Sequence, residues 1–395
     1  MIDIPGLKRR HFLIGAAGAS GAAAVGLPTM AFAQNGTALP DYVAWKDADA
    51  MIVHSEQTLE TKRGEIGTGV VTPTNDVYIR NNLPAPDPSI VEDRGAWEFS
   101  VEGVAEPGTM SLDQLKTVGV ETVATVLQCS GNGRKFFDHE ASGSQWETGA
   151  AGCVIWSGAP VRDVVAAMGG VSDGMPWLTG TGGEEIPDGL PPETIQVERS
   201  VPAKMLETAI LAWEMNGEPI PLAHGGPLRL VVPGYFGINN VKYLKRLAFT
   251  AEESPAKIQQ SGYRLRPVGE SGDPSQPSMY EMSVKSWITG PLRDAASGRV
   301  QIHGVAMGGM SAVEKVEMSL DGGETWMDAP FVGPDLGPYA WRPFVVIADL
   351  AAGSHVLATR ATNAAGDVQP ENFPPNERAY GHNGWRAHAV DVTVA

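Results

Sequence analysis

Cysteine is nearly absent: Cys129 and Cys153 are the only two in 395 residues. That excludes a disulfide-built scaffold, a four-thiolate zinc site and a cysteine-rich iron–sulfur cluster. No Cys-x-x-Cys-His run occurs, so there is no c-type haem in this chain, and any electrons it produces must leave through another protein. Positive charge is scarce too. The balance is 29 Lys and Arg against 46 Asp and Glu, a net −17, which argues against nucleic acid as a partner. Long helix-like periodic runs are few, and 47 Gly with 30 Pro point to strands and turns. An apolar content of 43% over this length suffices for two packed domains.

What is present begins with an address. Lys8-Arg9-Arg10-His11-Phe12-Leu13 is a paired-arginine segment, followed by an uncharged Gly/Ala-rich stretch ending in Ala31-Phe32-Ala33. It reads as a twin-arginine signal peptide over residues 1–33, cleaved after Ala33 and leaving no membrane anchor in the mature form. That route carries proteins already folded, so the expected location is periplasmic.

Further along, residues 97–103 alternate like a strand, residues 111–116 resemble a capped short helix, and the β-branched run 120–128 ends in turn-forming residues. Residues 158–168 read as a proline-started helix and residues 205–215 as another, followed by a strand over 228–232 and an ordered element over 241–248. Gly, Ser, Asp and Pro dominate residues 267–277, as in an interdomain segment. Beyond it, short strands over 283–289, 298–305, 313–320, 325–329, 340–346 and 355–362 alternate with turns such as Asp321-Gly322-Gly323, the pattern of an immunoglobulin-like sandwich. The expected fold class is α+β: a mixed, mainly β domain over 34–272 and a β-sandwich over 273–395.

Within the first domain, Gln128-Cys129-Ser130-Gly131-Asn132-Gly133-Arg134 places a cysteine in a glycine turn beside Arg134 and Lys135, whose charge would favour a thiolate. Local sequence alone leaves two alternatives open, a disulfide to Cys153 or a structural thiol. The run Thr179-Gly180-Thr181-Gly182-Gly183 lacks the strand-to-helix context and full fingerprint of a nucleotide loop.

The cysteine motif resembles the metal-cysteine loop of the sulfite oxidase family of molybdopterin enzymes. The resemblance continues in order through residues 78–86, 145–150, 212–219, 224–234 and 239–243, and through Ser319 to Trp326 and Ala361 to Pro370. It implies a molybdopterin domain followed by an immunoglobulin-like dimerisation domain, hence a homodimer. It implies a Mo-molybdopterin cofactor with Cys129 as the protein's thiolate ligand, a soft donor that suits a sulfur-rich metal site. Arg80, Arg134 and Arg378 fall at the family's anion-binding positions, with Trp146 as aromatic wall and Tyr263 as hydroxyl donor; planar guanidinium forks suit a small oxyanion. Tyr78, Asn81, Asn82, His224, Arg229, Asn240, Val241 and Lys242 fall at pterin-contacting positions, although relatives usually carry histidine where Asn82 stands. The implied activity is oxidation of sulfite to sulfate, with an external c-type cytochrome as acceptor. Alternatives are a relative acting on another small sulfur compound or oxyanion, or a binding module that has lost its metal.

Overall fold

The computed structural model describes residues 38–84 and 86–395; the signal-peptide reading of residues 1–33 lies outside them. A three-stranded sheet of Met51–Ser55, Thr58–Thr61 and Ile79–Arg80 opens the described chain. Two five-stranded sheets follow. One runs Glu218–Pro219, Ile210–Met215, Ala151–Pro160, Glu121–Gln128, with Arg229–Val231 also paired to Ile210–Met215. The other runs Gly108–Ser111, Glu98–Glu102, Leu244–Thr250, Trp177–Gly182, Glu198–Pro202. Between them lies a core containing Phe99, Leu211, Leu230 and Phe249. Among the described residues the α-helices are short, and Leu112–Leu115 starts at a reciprocal capping box between Ser111 and Gln114.

The second half packs a three-stranded sheet (Lys285–Gly290, Gly298–Met307, Arg342–Leu350) on a five-stranded one (Asp294–Ala295, Val390–Val394, Gly353–Asn363, Val313–Ser319, Met327–Asp328). Ile302, Phe344, Leu357 and Val392 fill the space between, as in a β-sandwich. Named strands pair only within each half. The turn at Asp321 is as expected: Gly322 and Gly323 have φ of +75° and +99°, and the Asp321 carboxylate accepts from the Glu324 and Thr325 amides at 3.0 and 2.9 Å.

The helix expected over residues 205–215 is not one. A 3-10 turn, Ala203–Glu207, leads into the strand Ile210–Met215, which is paired on both sides and buried except at Glu214. A strand covered on both faces has no polar alternation, so its unbroken apolar run imitates a buried helix. The strand Val390–Val394, with alternating burial, escaped the sequence reading altogether.

Candidate active site

Strand register decides between the two cysteines' possible fates. Glu121–Gln128 pairs antiparallel with Ala151–Pro160, Gln128 opposite Ala151, and the Cys129 amide continues the ladder to the Ala150 carbonyl at 2.9 Å. Residues directly opposite share a face, so Cys129 lies on the face of Ala150 and Val154, and Cys153 on the other face with Val126 and Ala151. An offset of three residues is roughly 10 Å along a strand, beyond disulfide reach. Both thiols are free, and the disulfide alternative falls.

Past the strand the chain turns sharply. Asn132 ties the loop at both ends, its Nδ2 donating to Gln128 Oε1 at 3.1 Å and its Oδ1 accepting from the Ala150 amide at 3.1 Å. Gly133 sits at φ +95°, a left-handed conformation that favours glycine. The loop presents Cys129, 9% exposed, in the wall of a cleft.

That cleft is where most of the expected residues meet. Tyr78, Arg80, Asn81, Asn82, Cys129, His224, Arg229, Asn240, Val241, Lys242 and Tyr263 all line it. Three others do not line it but stand behind its wall. Trp146 is fully buried, edge-on to Tyr78 with ring centroids 6.3 Å apart. Arg134 donates through Nε to the Arg378 carbonyl at 3.2 Å and through Nη1 to the Ser144 carbonyl at 2.7 Å. It lies 5.6 Å from the Tyr380 ring, which stacks on Tyr263 at 5.3 Å. Arg378 keeps a buried Nε without a partner.

Elsewhere in the cleft wall the cationic donors are held by amide carbonyl oxygens, not by carboxylates. Arg229 donates to the Asn240 and His224 carbonyls at 3.1 and 2.8 Å; Lys242 donates to Asn81 Oδ1 and the Ala223 carbonyl at 2.6 and 2.7 Å. Among the described residues, none of Arg80, Arg134, Arg229, Arg378 and Lys242 makes an ion pair. The cost is visible in protonation. Burial, then Arg229, holds Lys242 well below the usual lysine range. Burial pulls Arg229 down to about 10. Burial, then Lys46 and Lys242, pushes His224 well below the usual imidazole value. Unneutralised buried cations call for an anionic ligand.

Four residues that line or back the cleft were missed in the sequence. Glu184 lines it, its carboxyl raised by burial to about 7. Ser130 lines it with an unpartnered buried hydroxyl. Lys46, buried and lowered by burial to about 7, donates to the Thr74 carbonyl at 2.9 Å and acts on both His224 and Lys242. Tyr380 anchors Tyr263. Ser130 sits inside the cysteine motif without having been singled out; the other three belong to no recognisable motif, and their signal lies in three dimensions. Another such signal is backbone strain: Tyr243 (φ +50°), Tyr263 (φ +45°) and Ala379 (φ +48°) are non-glycine residues in left-handed conformations, all at or beside site residues.

The donor set fits a molybdenum–pterin group. Asn81 Nδ2, Ser130 Oγ, His224 Nε2 and Tyr243 Oη are buried without partners, and the cations beside them match an anionic cofactor tail. Among the described residues no cluster of three or more His, Cys, Asp or Glu could hold a metal. A metal held by Cys129 would need its remaining ligands from another source, such as a dithiolene.

Comparison with known proteins agrees. Residues 84–258 match the oxidoreductase molybdopterin binding domain and residues 276–394 the Mo-co oxidoreductase dimerisation domain. The chain is 35% identical over 354 residues to mitochondrial sulfite oxidase of Homo sapiens, covering 82% of this chain and 62% of that protein. To sulfite oxidase of Arabidopsis thaliana it is 29% identical over 345 residues, covering 79% and 86%. It thus spans less than two thirds of its mammalian relatives' length. The sulfane dehydrogenase SoxCD of Paracoccus pantotrophus shares the fold, with a TM-score of 0.73 at 24% identity over 94% of this chain and 96% of that one. Motif order, cleft chemistry and these matches together make the chain a member of the sulfite oxidase family of molybdopterin enzymes.

Proposed function

We propose that this protein oxidises sulfite to sulfate in the periplasm, as a homodimer, and passes the electrons to a c-type cytochrome. The observation that carries the reading is Arg80 and Tyr263 lining the cleft beside Cys129, with Arg134 and Arg378 behind its wall and, among the described residues, no ion pair from any of these arginines to a carboxylate. Sulfite is small and anionic. Arg80 would contact it directly and the charges of Arg134 and Arg378 behind the wall would add to its attraction, where a neutral sulfoxide would leave them uncompensated. The bound molybdenum cofactor supplies the two-electron oxygen-atom transfer. Cys129 would ligate the metal; His224, Arg229, Asn240, Val241 and Lys242 would hold the pterin and its anionic tail. Tyr263 keeps its proton, because burial raises its pKa despite the opposing charge of Arg80, and so serves as a hydrogen-bond donor. Each turnover consumes one water and releases two protons and two electrons, which must leave for a separate acceptor.

Support for the location is the twin-arginine segment with its Ala31-Phe32-Ala33 end; support for the dimer is the matched dimerisation domain. The test is a sulfite-dependent cytochrome c or ferricyanide reduction assay on molybdenum-loaded protein. Turnover with sulfite supports the proposal. A loaded enzyme that turns over another sulfur compound or oxyanion and not sulfite overturns it, and a well-folded chain that takes up no molybdenum in replete cells would mark a binding module instead.

A further inference from the structure

Away from the cleft, a second group of buried basic side chains has no use in the chemistry above. Lys285 and Trp287 are two apart on the strand Lys285–Gly290 and so point to one face; both are at most 1% exposed. Lys285 Nζ lies 5.6 Å from the Trp287 ring. Neither Lys285 Nζ nor Trp287 Nε1 has a protein acceptor. His388, 3% exposed, has no ring partner beyond a contact with the Gly384 backbone, and His382, 4% exposed, is unpartnered at Nδ1. The two imidazoles meet edge to face at 4.9 Å. Arg63 closes the group, donating to the His388 carbonyl at 2.7 Å and the Ile288 carbonyl at 2.6 Å.

Every charge acting within this group is of one sign. Lys285 is lowered by burial, then by Arg63, to about 7. His382 is lowered by burial, then by Lys285, to about 3. His388 is held well below the usual imidazole value by burial, then by Lys285, His382 and Arg63. Among the described residues, the carboxylate acting nearby is Glu147, on Arg63, and it is already paired with Lys135. A buried ammonium with no acceptor is among the most expensive arrangements a fold can hold, and each such orphan calls for an occupant. The donor balance says which kind. Lys285 and Trp287 can only donate, a neutral imidazole offers one donor and one acceptor, and Asn383 Oδ1 is the added unpartnered acceptor nearby in sequence. Water needs both kinds of partner, whereas an anion needs donors and charge.

The geometry points to an internal binding site for a small inorganic anion, held by Lys285, Trp287, His382 and His388 beneath the cysteine loop. The site reaches that loop directly. A Cβ on Gly133 would lie 2.9 Å from His382 Cβ and 3.6 Å from His388 Nε2, so an occupant there props the turn that carries Cys129 and Arg134 against the second half of the chain. The site depends on neither substrate nor metal, so it stands or falls separately from the proposed activity.

The test is anomalous diffraction from crystals of the full protein in bromide, together with melting temperature in chloride against gluconate at equal ionic strength. A bromide peak beside Lys285 Nζ, and a chloride-dependent rise of roughly 2–4 °C that disappears in Lys285→Met, are expected. Non-anomalous water density in the site overturns the proposal. So does a bromide peak without any chloride effect on melting, which marks binding at crystal concentration only. A rise that persists in Lys285→Met places the anion elsewhere and also overturns it. If Lys285→Met does not fold, Lys285→Gln, which keeps a donor but no charge, is read in the same way.

Discussion

Cys129 and Cys153 are three register positions apart and chemically opposite. Cys153 is wholly buried on the apolar face shared with Trp287 and Trp341, its thiol raised by burial to about 12, so it stays protonated and inert. Cys129 faces the cleft among cations. Cys129→Ser is therefore expected to abolish sulfite turnover and lower molybdenum retention. Cys153→Ser should keep turnover and cost about 1–3 kcal/mol of stability for an unpaired buried hydroxyl; metal analysis and urea melts check both, and equal loss of activity in the two would sink the ligand assignment. Arg80→Gln should raise the KM for sulfite at least about tenfold with little change in melting temperature. An unchanged KM would remove Arg80 from the substrate pocket. Protonation supplies a further test. Lys46, lowered to about 7, costs the cofactor-free fold stability as pH falls from the lysine range toward 7. Glu184, raised to about 7, costs it stability as pH rises from the carboxylate range to 7. An anionic cofactor tail restores the lysine's charge. The cofactor-free protein should thus gain stability relative to the loaded one between pH 7 and 10, by up to about 1.4 kcal/mol per pH unit for each proton involved; parallel pH profiles for the two forms would contradict this.

At the scale of elements, the cysteine loop and the segment after it act as one clamp. A Cβ on Gly131 would lie 2.5 Å from Arg134 Nη2, and one on Gly143, at φ +112°, 2.7 Å from Nη1. The two glycines therefore sandwich the guanidinium and fix its direction. Gly143→Ala is expected to displace Arg134, raising the KM for sulfite while costing about 1–3 kcal/mol in backbone strain; kinetics and melting on the same preparation separate the two effects. Legibility in the sequence followed the same line between local and distant. The capping box at Ser111, the strand Glu121–Gln128 and the glycine turn after Cys129 are local signals, and each was readable. The strand Ile210–Met215 was not, because burial on both faces erases the alternation that identifies a strand. Glu184 acts on Lys242, nearly sixty residues away, and Lys46 and Tyr380 on His224 and Tyr263, more than a hundred away, and no spacing rule connects them. The cleft-lining residues were read only because several motifs occur in the family's order; composition alone could not have joined Arg80 to Tyr263.

At the scale of the molecule, the site is shared between halves that have separate sheets. Arg378 and Tyr380 come from the second half, and Gly381 donates its amide to the Ser130 carbonyl at 2.8 Å, one residue from Cys129. Docking of the two halves is therefore part of assembling the anion pocket, and loosening it should weaken sulfite binding before it unfolds either core. Electron export is also a property of the whole surface. A chain of net −17 sets up a negative field that attracts a basic carrier and accelerates its encounter at low salt. If a basic c-type cytochrome is the acceptor, its second-order reduction rate should fall at least about tenfold as ionic strength rises from about 10 to about 300 mM, because the Debye length shrinks from roughly 30 to below 8 Å. Reduction of ferricyanide, an anion, should rise or stay flat over the same range. A cytochrome rate that ignores salt would mean that the acidic surface serves solubility alone, and that the acceptor docks through apolar contacts.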